Sequence, residues 1–328
     1  MKAIIQDHYG SPADALELRD VDAPAVEDGE VLVRVHAASI HVGDWIIMQG
    51  VPYIMRPMFG LRAPKVPIPG TDMAGVVEAV GAGVTQVAPG DEVFGWGDGA
   101  FAEYMSAPAG NLLAKPADFT FEQAAAVGVS AFTALKVMRD RGQVEAGQRV
   151  LINGASGGVG TYAVQIAKSM GAEVTGVCSG KNAEMVRSIG ADHVVDYTQQ
   201  DFTKGDARYD FILDNVGNHS SAEICAVLSP DGKLQPNGGG HHPGRWFGSL
   251  GSVVSNAIRA RRDDQLLAPF LSTNNAKDLA VLKERAEGGE ITPVIDSTYP
   301  LAETAAAMSH VGGGHAGGTV VITVQGPS

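Results

Sequence analysis

The sequence predicts an α/β protein, a doubly wound parallel sheet joined to a second, mainly β lobe. Three observations carry this. Gly154-Ala155-Ser156-Gly157-Gly158-Val159-Gly160 follows an apolar run, Arg149-Val150-Leu151-Ile152-Asn153, and leads into Val159, Ala163, Ile166 and Met170 at helical spacing. The glycines therefore sit where a buried strand turns into a helix. From about residue 117 to 288 strand and helix patterns alternate, as parallel strands with helical crossovers require. Residues 1–116 and 290–328 read mainly as strands.

In the first lobe, 31–35 and 75–80 are strand patterns, the second stopped by Gly81-Ala82-Gly83. Pro89-Gly90 turns the chain into a third. In the second lobe, the run 149–153 is followed by strands at 173–178, 193–197 and 209–214. A fifth falls at Lys233-Leu234-Gln235-Pro236-Asn237, where a proline removes a ladder donor, so a short strand that ends early is expected, leading into a loop at 238–242. The last strand pattern, 319–324, is expected to rejoin the first lobe. The domains expected are 1–116 with 290–328, and 117–289.

The chain has 328 residues, 45% of them hydrophobic, enough for two full cores. A net charge of −13 argues against a nucleic-acid or anionic-membrane partner. Two cysteines, Cys178 and Cys225, make neither a disulfide framework nor a zinc cluster, and a reducing, cytoplasmic setting is expected. The N-terminal apolar run is too short for a secretory signal, and the stretch 124–137 is too short and too polar for a membrane span.

The glycine loop suits a pyrophosphate. A helix N-terminus offers free N–H groups and partial positive charge, and Ser156, Gly157, Gly158 and Val159 would bring backbone close to the phosphates. An NAD-specific site places an acidic residue at the end of the next strand, against the ribose 2′-hydroxyl. Here that place reads Ser179-Gly180-Lys181-Asn182. A hydroxyl and a cation can receive a 2′-phosphate, and NADPH is the cofactor expected. One charge-assisted hydrogen bond there is worth roughly 1.5–3 kcal/mol, about ten- to a hundredfold in affinity.

Over nearly its whole length the chain resembles the medium-chain dehydrogenase/reductase superfamily. The features in order are Tyr9-Gly10-Ser11-Pro12, Gly29-Glu30-Val31-Leu32-Val33-Arg34-Val35, Pro67-Ile68-Pro69-Gly70-Thr71-Asp72, Pro89-Gly90-Asp91-Glu92-Val93, the glycine loop, Gly190-Ala191-Asp192 and Gly314-His315-Ala316-Gly317-Gly318. Within it the chain is similar to the zinc-free, quinone-oxidoreductase-like branch. The resemblance implies a Rossmann-type cofactor lobe, a chaperonin-10-like lobe and a homodimer. Zinc-dependent relatives carry three ligands at places that read His41, Thr71 and Val129 here, and one possible ligand of three cannot hold a catalytic zinc. No metal is therefore expected, and without a Lewis acid the better substrate is a small, apolar, conjugated one, a quinone or an enone.

His41, Asp44 and Tyr53 are the catalytic candidates. The resemblance places His41 where the branch usually has Asn. It leaves three roles open: a donor to the substrate carbonyl, a proton donor, or a packed histidine. Asp44 would organise the cleft. Tyr53 stands near the place of a proton-donating tyrosine of enoyl reductases, or forms a pocket wall with Trp45, Met55, Phe59, Phe94, Trp96, Trp246 and Phe247. The resemblance also places Thr133 against the nicotinamide, Asn215 and Val216 beside its ribose, and Tyr197 beside the 2′-phosphate. Two alternatives stay open: a reductase of enoyl thioesters or iminium groups, for which Arg56, Arg62 and Lys65 would hold a carrier phosphate, and a catalytically weak NADPH-binding protein.

Overall fold

The computed structural model describes residues 1–237, 264–268, 270 and 272–325. They form two compact units. One comprises Met1–Ser130, Asn274–Gly289 and Pro293–Ser328, the other Ala131–Thr273 and Glu290–Thr292. The first thus runs past residue 117, because the helix Phe121–Ala126 packs on the strands Glu30–Ile40, Asp72–Val80 and Thr319–Thr323.

The second unit holds a five-stranded, wholly parallel sheet. Across it lie His193–Asp196, Glu173–Cys178, Arg149–Asn153, Tyr209–Asp214 and Leu228–Pro236, which is chain order 3-2-1-4-5. The order reverses between the first and fourth strands, so their carboxyl ends, at Asn153 and Asp214, border the ligand crevice such sheets provide. The helix Gly158–Ser169 has eight consecutive buried residues, Gly160 through Ala167. Its one buried side-chain amide, Gln165, is satisfied: Nε2 donates to the carbonyls of Thr161 and Thr292, and Oε1 accepts the amide of Thr292. The fifth strand does not end early. It pairs with its neighbour as far as Asp214 opposite Pro236, and proline is tolerated because this strand has only one strand neighbour in the described sheet and Pro236 is its last residue.

The first unit is built on a seven-stranded sheet. Its long strand Glu30–Ile40 pairs antiparallel with Asp72–Val80, Tyr104–Pro108 and Thr319–Thr323. Val31, Val33 and Val35 alternate into the core with Met73, Val93, Phe101 and Met105, all essentially without solvent exposure. Each such valine contributes roughly 1.5–3 kcal/mol by burial. Among the described residues no helix is long and apolar enough to cross a membrane.

Candidate active site

Of the cofactor residues expected from sequence, Ser156 to Val159, Ser179, Lys181, Tyr197, Asn215 and Val216 follow the carboxyl ends of parallel strands, whereas Thr133 lies in the helix Val129–Lys136. Gly157 caps the helix Gly158–Ser169 without any side-chain hydrogen bond, so the first amides of the helix are not taken by a capping side chain. Gly154 has φ +80°, a left-handed turn that favours glycine. Ser156 and the 179–182 segment meet, since Asn182 Nδ2 donates to Ser156 Oγ at 3.1 Å. Ser179 is half-buried, and Lys181 and Tyr197 are exposed. One feature was not foreseen: Asp196, from the end of the third strand, lies beside Gly180, where a Cβ would sit 2.6 Å from Oδ2. Hydrogen bonds from Thr198 and from the Gly180 amide hold its carboxyl below the usual range.

At the switch point Asn153 Nδ2 donates to Asp214 Oδ1 at 2.8 Å and to Asn218 Oδ1 at 2.9 Å. Asp214 Oδ1 also accepts the amides of Val216 and Gly217, which fixes the turn after the fourth strand. Asn215 Oδ1 accepts from Asn237, but its Nδ2 is buried with no hydrogen-bond partner among the described residues. Such a donor is costly unless something completes it, and a ligand hydroxyl or carbonyl would do so. Val216 is exposed beside it, and Thr133 is buried in the helix Val129–Lys136. The free helix N-terminus, the orphaned amide and the exposed Lys181 and Tyr197 fit a dinucleotide.

The first unit gathers a second cluster. His41 caps the helix Val42–Gln49 in a reciprocal box: Nδ1 accepts the Asp44 amide at 3.2 Å, and Asp44 Oδ2 accepts the His41 amide at 2.9 Å. Because Nδ1 is an acceptor, the neutral ring carries its proton on Nε2. Nε2 lies 3.2 Å from Thr71 Oγ1 and 3.5 Å from Asp44 Oδ2. Behind Thr71 is Asp72, 1% exposed. Its Oδ2 accepts the Val129 amide at 2.8 Å and faces Ser39 Oγ at 3.5 Å, while Oδ1 faces Thr71 Oγ1 at 3.5 Å. Burial pushes the Asp72 carboxyl up to about 6 against the pull of His41, and burial raises Asp44 as well. Asp72 was not legible as a site residue. The only local signal was an acidic side chain opening a strand whose next five residues, Met73 to Val77, are apolar or glycine.

The zinc positions do not fit a metal. His41 has both ring nitrogens engaged, Thr71 offers a hydroxyl, and Val129 has no ligand atom in its side chain, its backbone amide donating to Asp72. Among the described residues no group of His, Cys, Asp and Glu could hold one.

Tyr53 is tied to Arg56, whose guanidinium lies 4.3 Å from the Tyr53 ring centre and 4.6 Å from that of Tyr9. Arg56 Nε also donates to the Gly50 carbonyl at 2.9 Å. This cation is therefore a structural rivet, whereas Arg62 and Lys65 are exposed. Arg56→Ala is expected to cost about 1–3 kcal/mol in urea unfolding, from two cation–π contacts and one charged hydrogen bond. Arg56→Lys should recover less than half, since an ammonium cannot stack between two rings. An unchanged unfolding midpoint in Arg56→Ala would show the stack to be idle. Trp45, Phe94 and Trp96 belong to the first unit, Phe94 fully buried and the other two half-buried. Trp246, Phe247, the 238–242 loop and the Met55 side chain lie outside the described residues.

Two family models match the chain. An alcohol dehydrogenase GroES-like domain covers residues 27–117, and a model described as zinc-binding dehydrogenase covers 189–322. A chloroplastic quinone-oxidoreductase homologue of Spinacia oleracea is 30% identical over 98% of both chains. The chain belongs to the quinone-oxidoreductase-like branch of the medium-chain dehydrogenase/reductase superfamily. The human mitochondrial NAD(P)H oxidoreductase RTN4IP1 is 32% identical, over 99% of this chain and 89% of its own. The quinone oxidoreductase structure from Coxiella burnetii superposes with a TM-score of 0.84 at 26% identity, covering 99% of each chain. This branch accounts for both units: the GroES-like match falls on the mainly β unit and the parallel five-stranded sheet is the Rossmann-like half.

Proposed function

We propose that this protein is an NADPH-dependent, zinc-free oxidoreductase that reduces a small apolar conjugated acceptor, a quinone or an α,β-unsaturated carbonyl. The observation that carries the reading is the pairing of a dinucleotide cradle with a zinc position held by His41, Thr71 and Val129, none of them able to polarise a carbonyl as a Lewis acid. Full-length similarity to quinone oxidoreductases and to an NAD(P)H oxidoreductase supports it. The bound nicotinamide supplies a hydride. The chain supplies the rest: the 154–160 loop binds the pyrophosphate through its amides, and Asn215 Nδ2 and Val216 border the nicotinamide ribose. Thr133 would lie against a bound nicotinamide, and His41 with Asp44 orders the polar end of the substrate site. Tyr53, stacked on Arg56, serves as a wall of that site.

The choice of NADPH rests on Ser179 and Lys181, with Tyr197 beside them. Lys181→Ala is expected to weaken NADPH binding about tenfold and leave NADH within twofold, consistent with one lost charge-assisted bond. Fluorescence titration with both cofactors measures this. Equal losses for both would remove Lys181 from the 2′-phosphate, and a native preference for NADH would assign the ribose hydroxyls to Asp196. Turnover is tested by following NADPH absorbance with a panel of quinones and enones. Tight NADPH binding with no acceptor reduced would leave a binding protein and overturn the reductase reading.

A further inference from the structure

Reduction of a conjugated acceptor leaves an anion on oxygen that must take up a proton, and the candidates His41, Asp44 and Tyr53 are engaged elsewhere, Tyr53 with the Arg56 guanidinium over its ring. Asp44 is committed to its capping box. The His41 Nε2–H is directed at Thr71, and His41 Nδ1 is occupied by an amide. Thr71 is half-buried and Asp72 buried directly behind it. We propose that the Thr71 hydroxyl is the proton-donating group of the site and that Asp72 recharges it, the pair forming a two-step relay oriented by His41.

The arrangement assigns each atom a part. Asp72 Oδ2 already accepts the Val129 amide and faces Ser39, so a proton on this carboxyl belongs on Oδ1, the oxygen facing Thr71. In the ionised state Thr71 Oγ1 donates to Asp72 Oδ1; once that carboxyl is protonated the bond reverses, and Thr71 Oγ1 accepts from Asp72 Oδ1–H and from His41 Nε2–H at once. With both lone pairs filled, its own hydrogen points away from the two of them. When the hydride reaches the acceptor carbon, the nascent oxyanion or enolate takes the Thr71 hydrogen. Thr71 takes the Asp72 proton and Asp72 is left as carboxylate; because Asp72 is buried, its proton returns from solvent through the half-buried Thr71 hydroxyl after product leaves. No electrons beyond the hydride are needed. The 3.5 Å step between Thr71 and Asp72 is long, as hydrogen bonds of unliganded sites often are, and should tighten with substrate bound.

The groups that bear on Asp72 agree with a stored proton. Among the described residues His41 and Asp44 are the titratable ones, while Ser39 and the Val129 amide are neutral. Burial dominates, and the midpoint of about 6 keeps a useful neutral fraction near physiological pH. Asp72 never touches substrate in this scheme and acts only through Thr71, so it is a positioning residue.

The inference rests on the reductase reading, and its test has one arm that needs no turnover. With NADPH and a simple benzoquinone or cyclic enone, Thr71→Val should lower kcat at least tenfold and abolish the solvent isotope effect. Thr71→Ser should restore both. In the wild type kcat should fall as pH rises above the Asp72 midpoint, and Thr71→Val should lose that limb. NADPH affinity should stay within twofold throughout. In the second arm, carboxyl carbon NMR follows Asp72 directly. Its midpoint should lie well above that of an ordinary carboxyl, and Thr71→Val should move it, since the hydroxyl bonds Asp72 in both of its protonation states. Wild-type rate and pH profile in Thr71→Val would overturn the relay. So would an Asp72 that titrates with the ordinary carboxyls or ignores the substitution. If NADPH binds and no acceptor is reduced, the reductase reading falls and the carboxyl titration still decides whether Asp72 and Thr71 are coupled.

Discussion

Gly160→Ala is expected to lose at least about a hundredfold in NADPH affinity and about 1–3 kcal/mol of stability, the usual cost of forcing extra volume into a packed site. A Cβ at this position would lie 2.0 Å from the Gly154 carbonyl oxygen and 2.8 Å from the Ala155 backbone. Neither can swing aside as a side chain would, so the helix Gly158–Ser169 must back away from its strand. That helix is buried at every residue from Gly160 to Ala167, and the shift is passed to all their neighbours. Its N-terminal amides, which cradle the phosphates in the proposed complex, leave their positions together. Gly157→Ala is the control, because a Cβ there meets only the Gly154 oxygen at 3.6 Å. It should keep the wild-type melting temperature, and any loss of affinity would come from crowding the ligand. Thermal melts and fluorescence titration of both variants separate the effects. A Gly160→Ala protein with wild-type melting and wild-type affinity would show that the loop neither packs as tightly nor binds as argued.

The parts of the molecule that could be read along the chain are those whose signal is local. The 154–160 glycines, between a strand pattern and a helix pattern, marked a strand–turn–helix unit without any long-range information. The alternating valines of Glu30–Ile40 did the same for the first sheet. The strand Leu228–Pro236 was misread because the effect of a proline depends on whether a neighbour needs its amide, which only the sheet order reveals. Arg56 reads from the sequence as a holder of a carrier phosphate. Its true partners, Tyr9 and Tyr53, include one 47 residues away, and nothing in the local pattern brings them together. Asp196 beside Gly180 and Asp72 behind Thr71 were invisible for the same reason: burial and charge proximity are properties of the folded chain. His41 and Asp44 were legible as a pair three residues apart, and the fold gives the pair its capping geometry.

Asp72→Asn is expected to make the protein more stable at pH 7 by up to about 3 kcal/mol, the equivalent of raising the carboxyl from 3.8 to about 6 on folding. Between those two values the folded protein binds more protons than the unfolded chain. The contribution of Asp72 to stability is therefore fully present below about pH 4 and is lost as pH rises through 6. Asparagine keeps the shape, can accept the Val129 amide with its oxygen and can turn its amide toward Thr71, but it cannot ionise. Wild type and variant should thus have similar stability near pH 4 and diverge between pH 4 and 7, with the wild type falling. Asp44 is shifted in the same direction and its charge raises Asp72, so the difference between the two curves contains the coupling of the pair as well as the titration of Asp72. Urea unfolding at a series of pH values measures it. A variant that is less stable at pH 7, with an unchanged pH slope, would mean that Asp72 is an ordinary ionised partner of the Val129 amide. The expected result has a sharper meaning when set beside activity. A buried acid that weakens the fold at neutral pH, and whose neutral isostere both stabilises the fold and removes the proton supply to Thr71, is explained by the reaction and not by packing.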